Sequence, residues 1–163
     1  VELTERIHHA IVKSEEELSW SPLEKVSWKT TELMPEAWET LFEPLLVEQL
    51  GNRYYQPAVR VRAAFMLAWK ERLRRNEPLA ISSLSAGNIE LLHLPGECFI
   101  EYQLRAQETA PKKFVATAAY GDGGPWYIPV EEEYGKGGYE LTSTFCGPGT
   151  DRVLTGAIQQ ILE

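Results

Sequence analysis

The sequence predicts a mixed α/β fold, in which a β-sheet contains one βαβ unit and carries helices on its flanks. Two observations lead to this class. Short apolar runs at 79–84, 89–94 and 114–120 have the length of strands, whereas both ends of the chain repeat apolar residues at helical spacing. A helical stretch from 97 to about 108 separates the second and third runs. This strand-helix-strand order predicts that those two strands are parallel neighbours.

Composition narrows the class of protein. The 163 residues, 44% hydrophobic and 25% charged, suit a single domain over residues 1–163. A formal net charge of −8 argues against nucleic acid as a partner, because phosphate backbones are bound by positive surfaces. No apolar run approaches the roughly 18 residues that cross a bilayer, so no transmembrane segment is predicted. Cys98 and Cys146 fit one disulfide or two free thiols, and the free thiols are favoured because lone cysteines are commonly buried small apolar residues.

The first helix is predicted over most of the first 18 residues. Its apolar stripe consists of Leu3, Ile7, Ile11 and Leu18. Residues 20–35 break this periodicity and contain Pro22. They are therefore predicted to form a loop with one short strand around 26–28.

Two more helices are predicted before the first apolar run. One extends from 36 to about 49, is ended by Gly51 and is kinked or split by Pro44. The other begins at Pro57, which suits a first helical turn, and ends at 76–78. Its arginines and lysine fit either an acidic partner or a solvated face. The solvated face is favoured, because positive charges late in a helix suit the helix dipole.

The second half of the chain is predicted to contain most of the sheet. The turn at 86–88 joins the first two apolar runs into a hairpin. A glycine-rich loop at 121–126 follows the third run, and residues 139–145 are predicted to form a last strand. A final helix is predicted to start at Thr150 or Asp151.

Two segments that could carry chemistry lie at the carboxyl ends of predicted strands, where ligand sites of parallel sheets gather. Leu94-Pro95-Gly96-Glu97 places a carboxylate at a strand-to-helix junction, behind a glycine that permits a tight turn. Tyr127 directly follows the glycine-rich loop. On spacing alone, Glu97 fits an anion near a helix N-terminus, and Tyr127 fits an ordinary core or surface tyrosine.

A longer pattern begins at Tyr127 and extends to Pro148. It consists of Tyr127-Ile128, Glu132-Glu133-Tyr134, Tyr139-Glu140, Ser143-Thr144 and Gly147-Pro148. Together with the Leu-Pro-Gly-Glu motif, this gapless run resembles the metal-site half of the neutral (neutral/alkaline, non-lysosomal) ceramidases. The departures from the family pattern are Pro129 and Val130 in place of threonines, Gly137-Gly138, and Cys146 in place of an aromatic residue.

The resemblance implies that Glu97 and Tyr127 bind a catalytic zinc, together with two histidines from far upstream. It further implies a zinc-dependent amidohydrolase that cleaves the N-acyl bond of ceramide or a related lipid. Residues 1–163 would then be the C-terminal part of a larger catalytic domain, whose upstream remainder supplies the histidines and the nucleophile. The family also suggests a secreted or periplasmic location.

The histidines of this chain are weak candidates for completing such a site. His8 and His9 are neighbours on a predicted helix and point about 100° apart. Strand alternation places His93 opposite its two leucine neighbours, where a core or supporting role is more frequent. The other motif residues interpreted as a scaffold for Tyr127 are Glu132, Glu133, Tyr134, Tyr139 and Glu140. The rival hypothesis is a non-enzymatic ligand-binding or assembly domain that keeps the fold without a complete metal site.

Overall fold

The computed structural model describes residues 1–16, 18, 20, 22–23, 25–121 and 124–163, and it has the predicted mixed α/β class. Its helices and strands are, in chain order, α1 (Glu2–Glu16), β1 (Val26–Leu33), α2 (Glu43–Gly51), α3 (Pro57–Arg74), β2 (Leu79–Ala86), β3 (Ile89–Pro95), β4 (Glu97–Cys98), α4 (Ile100–Thr109), β5 (Phe114–Gly121), β6 (Tyr127–Ile128), α5 (Tyr139–Ser143) and α6 (Gly149–Leu162). A 3₁₀ turn at Glu131–Glu133 precedes α5. Within the ranges described, no helix is both long and apolar enough to cross a membrane.

Four strands form the main sheet, in the order β1-β2-β3-β5. The pairs β1–β2 and β2–β3 are antiparallel, so the predicted hairpin is confirmed. β3 and β5 are parallel, with His93 opposite Ala118, and α4 connects them. The predicted βαβ unit is therefore also confirmed.

The hydrophobic core lies on one face of this sheet. α6 packs against β1 and β2, while α4 packs against α6 and β5. Fully buried members of this core include Ile81, Leu92, Leu94, Leu154 and Ile158. Strand alternation points other side chains to the opposite face, where Trp28, Leu91 and Phe114 are exposed.

The structure corrects two predictions in the first half of the chain. The strand expected around 26–28 continues to Leu33, because all eight residues of β1 pair with β2. The helix expected from residue 36 begins at Glu43 and has Pro44 in its first turn, so Pro44 does not kink or split it. Amides of a first turn lack partners within the helix, and a proline there loses no hydrogen bond. Residues 17, 19, 21 and 24 of the segments predicted here lie outside the described ranges.

A third correction concerns the residue of greatest interest. Glu97 was expected to open a helix, but it forms the short strand β4 with Cys98, and α4 starts at Ile100. The cause is a long-range pairing, since β4 lies parallel to β6. The amide of Glu97 donates to the carbonyl of Trp126 at 2.6 Å, which holds the residue in an extended conformation.

A fourth correction concerns residues 139–145, which were expected to form a strand. Tyr139–Ser143 are helical instead. Gly138 precedes this helix with a φ of 109°, a left-handed conformation that favours glycine and redirects the chain. The burial of four consecutive residues, 143–146, also departs from the alternation of a half-buried strand.

The remaining predicted elements agree with the structure. The first helix, the helix from Pro57 and the final helix occupy the expected ranges to within a few residues. Cys98 and Cys146 are free thiols, and burial raises the pKa of Cys98 to about 12. On α3, Arg74 pairs with Glu43 of α2, so this basic helix finds acidic partners within the chain.

Candidate functional site

The short sheet of β4 and β6 brings the two predicted ligands together. Glu97 lies opposite Tyr127 in a parallel register. Residues in register project to the same face, so the carboxylate and the phenol leave the backbone side by side. The backbone of Tyr127 is also held in place, because the Thr144 hydroxyl donates to its carbonyl oxygen at 2.8 Å.

Glycines allow the two segments to approach this closely. A Cβ at Gly124 would lie 2.0 Å from the amide nitrogen of Gly96. Gly96 itself has a φ of 63°, and a Cβ there would lie 2.6 Å from the carbonyl oxygen of Trp126. The Leu-Pro-Gly-Glu motif and the loop before Tyr127 therefore cross at a point where no side chain fits. Asp122 and Gly123 of that loop lie outside the described residues.

Glu97 and Tyr127 open on a cavity of about 430 Å³. Its lining comprises Gly96, Glu97, Tyr120, Gly121, Gly124, Trp126, Tyr127 and Tyr139. The rings of Tyr127 and Tyr139 meet edge to face, with centroids 5.8 Å apart and planes at 82°. Three tyrosines and one glutamate thus line one concave surface.

The Glu97 carboxylate shifts both neighbouring phenols towards the protonated form. A hydrogen bond to Glu97, followed by desolvation and the negative charge of Glu97, raises the pKa of Tyr120. Desolvation raises the pKa of Tyr127 first, and the charge of Glu97 and a hydrogen bond to it raise this pKa further. Both tyrosines are therefore protonated in the absence of a cation.

Aromatic side chains border the cavity on one side. The Trp126 ring lies 4.9 Å from that of Phe145 and 6.0 Å from that of Phe65 on α3. Phe145 is buried, whereas Phe65 is 51% exposed and extends this aromatic surface towards solvent. The cavity is therefore flanked by an aromatic surface on its Trp126 side.

A second, more acidic cavity of about 360 Å³ shares Glu97 and Tyr127 with the first. The other acidic residues that line it are Glu101, Glu133 and Glu140. Lys136 pairs with Glu133 at 2.8 Å and offsets part of this negative charge. Glu97 and Tyr127 therefore lie between the first cavity, which is rich in tyrosine, and the second cavity, which is rich in carboxylates.

The structure divides the motif residues that were interpreted as a scaffold. Tyr134 fits that role, because its hydroxyl donates to the carbonyl of Cys146 at 2.7 Å. Tyr139 contacts Tyr127 and also lines the cavity, so it is more than a support. Sequence reasoning did not identify Tyr120 at all. Its position at the carboxyl end of the third apolar run was the one sequence feature that pointed to it.

The donor set fits part of a zinc site. A carboxylate and a phenol are oxygen ligands, and a divalent cation can stabilise the phenolate. In the part of the chain that the structure describes, no group of three or more His, Cys, Asp or Glu residues could hold a metal ion. His8 and His9 are exposed on α1, and His93 lines a separate apolar cavity on the open sheet face. The zinc-ligand role of Glu97 and Tyr127 stays a prediction.

Comparisons with known proteins bear on the fold. No protein-family model matches the chain, and no curated protein matches its sequence. The neutral ceramidase from Pseudomonas aeruginosa matches 85% of this chain and 28% of its own, with 17% identity and a TM-score of 0.53. A structure described as a ceramidase complexed with C2 matches 52% of this chain and 14% of its own, with 27% identity and a TM-score of 0.46. The match to the Pseudomonas enzyme shows that the chain has a neutral-ceramidase-like fold. The chain spans less than a third of the length of either ceramidase chain.

Proposed function

We propose that this chain is part of a zinc-dependent amidohydrolase that cleaves the N-acyl bond of ceramide or a related lipid. The observation that carries this proposal is the pairing of Glu97 with Tyr127 at the mouth of one cavity, in a chain with a neutral-ceramidase-like fold. The two residues are 30 positions apart in the sequence, and a helix and a strand separate them. Nothing local requires them to meet, so their juxtaposition is a property of the fold.

The residues of this chain would hold two of the metal's ligand positions. When bound, the zinc would polarise the scissile carbonyl and lower the pKa of the attacking hydroxyl or water. Tyr127 is protonated in the metal-free chain, because desolvation and the Glu97 carboxylate raise its pKa, so ligation requires that proton to leave. Metal affinity should therefore rise with pH. The upstream part of the domain would contribute the histidines and the nucleophile.

The lining of the cavity suits a substrate with an apolar body and a polar reacting group. Trp126 and Phe65 give it an aromatic border, and Tyr139 adds a hydroxyl beside Tyr127. Apolar walls with a few convergent polar groups are typical of small-molecule sites. An N-acyl lipid has this combination of parts.

The test uses a longer protein that includes the upstream part of the domain. Glu97→Gln and Tyr127→Phe should each lower the rate of ceramide hydrolysis by about 100-fold or more, because each removes a metal ligand. Far-ultraviolet circular dichroism should be unchanged. Tyr54→Phe is the matched control, since Tyr54 is 85% exposed and does not line the cavity. Full activity of either site variant would overturn the proposal.

A second candidate function is a non-enzymatic ligand-binding or assembly domain. One observation favours it, namely that no group of three or more His, Cys, Asp or Glu residues within the described ranges could hold a metal. The same longer protein separates the two functions. Zinc-dependent hydrolysis supports the enzyme, whereas a folded protein that binds ceramide and neither hydrolyses it nor binds zinc supports the second candidate.

A further inference from the structure

Tyr120 has a backbone conformation that its side chain makes costly. Its φ is 64°, in the left-handed region that a residue with a Cβ rarely adopts. Tyr120 is the second-to-last residue of β5, just before the loop that leads to Tyr127. Glycine or asparagine would satisfy such a turn at lower cost.

Packing does not compensate for this cost at Tyr120. The residue is 73% exposed, so its ring contributes little to the core. Trp126 gives a contrast within the same loop, because its φ is 50° but its ring packs on Phe145 and Phe65. Strained residues without a packing role are concentrated at functional sites, where the strain places a side chain.

The left-handed turn places the Tyr120 side chain in the cavity. The Tyr120 amide donates to the carbonyl of Gly96 at 2.6 Å, which fixes the residue directly beside the Leu-Pro-Gly-Glu motif. Tyr120 then lines the same cavity as Glu97 and Tyr127, so its side chain and the Glu97 carboxylate share one space.

We propose that Tyr120 is a positioning residue, whose hydroxyl donates to the Glu97 carboxylate and orients it for a metal ion shared with Tyr127. This inference rests on the proposed function, because it assumes that Glu97 and Tyr127 are ligands. The two tyrosines beside Glu97 would have different roles. Tyr127 would bind the cation as a phenolate after releasing its proton to solvent, whereas Tyr120 would stay protonated and donate a hydrogen bond to Glu97. Hydrogen bonds of this kind to a ligating carboxylate fix its orientation and increase metal affinity.

The experiment is a zinc titration of the metal-free longer protein that includes the upstream part of the domain, followed by the ultraviolet difference spectrum of tyrosinate. Zinc should produce a saturable tyrosinate signal that Tyr127→Phe abolishes. Tyr120→Phe should retain the full amplitude but need about 10-fold or more zinc for half-saturation. Tyr54→Phe should match the wild-type chain in amplitude and midpoint.

Urea unfolding of the same variants separates positioning from folding. Tyr120→Phe should unfold at the wild-type urea concentration. Tyr120→Gly should unfold at the same or a higher concentration, because glycine relieves the left-handed strain, and should also bind zinc more weakly. Weaker zinc binding that accompanies lower stability in both variants would overturn the proposal.

The remaining outcomes are also decisive. Wild-type affinity in both Tyr120 variants, combined with loss of the signal in Tyr127→Phe, would refute the role of Tyr120 and leave the proposed function standing. Loss of amplitude in Tyr120→Phe would make Tyr120 the ligand instead. A longer wild-type protein without saturable zinc binding up to millimolar concentration, or with the same signal in Tyr127→Phe, would overturn both the positioning role and the metal site.

Discussion

Glycines decide how closely the two segments of the site approach each other. Gly124 and Gly96 cross with their backbones in contact, and a Cβ at Gly124 would overlap the amide nitrogen of Gly96. A fixed backbone cannot move aside as the end of a flexible side chain can. At this scale, therefore, the site depends on the absence of two side chains as much as on the presence of Glu97 and Tyr127.

We predict that Gly124→Ala destabilises the chain by about 2 kcal/mol or more, because overpacking here requires backbone movement. The control is Gly156→Ala on α6, where a Cβ meets nothing within 4 Å. It should stabilise the chain by about 0.5–1 kcal/mol, since alanine is the better helix former. Urea unfolding of both variants measures these differences, and equal stabilities would contradict the crossing described for Gly96 and Gly124.

Glu90 is a buried carboxylate within the sheet. It accepts hydrogen bonds from the Ser83 hydroxyl and from Lys113, whose ammonium lies 2.6 Å away. Burial raises the pKa of Glu90, but the hydrogen bonds from Lys113, Ser83 and Ser85 outweigh it, and the net pKa lies below the ordinary value of 4.5. The ionised form is thus stabilised in the folded chain relative to the unfolded chain.

This depressed pKa predicts how stability depends on pH. The contribution of Glu90 is fully present above pH 4.5, the ordinary value, and is lost as the pH falls through the lower folded-state pKa. Glu90→Gln should cost about 2 kcal/mol at pH 7, because a charged hydrogen-bond acceptor is lost. Its stability should also decline less than that of the wild-type chain below pH 4.5. Unfolding curves at pH 7, 5 and 3.5 test this, and parallel declines would contradict the assignment.

At the scale of elements, one carboxylate joins α4, α6 and the 3₁₀ turn. Asp151 of α6 is buried and forms an ion pair with Arg105 of α4. Its other carboxylate oxygen accepts from the amide of Glu131 at 2.9 Å. The turn that follows β6 is therefore tied directly to the helical layer of the core.

We predict that Asp151→Asn destabilises the chain by about 2 kcal/mol, because it leaves the partly buried Arg105 without its counter-charge. Glu71→Gln is the control, since this exposed carboxylate pairs with Arg74 and Arg75 on the surface of α3 and should contribute little. Thermal unfolding of both variants gives the comparison. A larger loss of stability in Glu71→Gln than in Asp151→Asn would show that the ion pair between Arg105 of α4 and Asp151 of α6 is not the more stabilising one.

At the scale of the whole molecule, two features bear on whether the chain is part of a larger domain. One face of the sheet carries exposed apolar side chains, although it contains a parallel pair of the kind usually covered on both faces. The candidate site offers two oxygen ligands, where a catalytic zinc normally has three or four protein ligands. Both features agree with the proposal that the chain forms part of a larger domain.

The ligand set predicts a difference in metal content. The 163-residue chain should hold zinc loosely or be metal-free, because it would supply two oxygen ligands, whereas the longer protein should hold about one zinc per chain. Metal analysis after dialysis of both proteins measures this difference. Tight, stoichiometric zinc in the short chain that disappears in His93→Ala would show that the ligand set is wrong.

The sequence alone determined the elements whose residues interact with near neighbours. Hydrophobic periodicity located α1, α3 and α6, and the order of the apolar runs predicted the hairpin and the parallel pair β3–β5. Local pattern also selected Glu97 and Tyr127, through their resemblance to a known family. These features were accessible because side-chain spacing reports directly on which face of an element is apolar.

Only the tertiary structure decided the conformations that depend on contacts between distant segments. Glu97 is extended and not helical because its amide pairs with the carbonyl of Trp126. Tyr120 lines the cavity because of a left-handed backbone conformation that hydrophobic periodicity does not predict. Tyr139 contacts Tyr127 from a helix that was expected to be a strand. The physical reason is the same throughout: a backbone hydrogen bond or a ring contact across 12 to 29 residues can override local preference, and the sequence pattern carries no record of it.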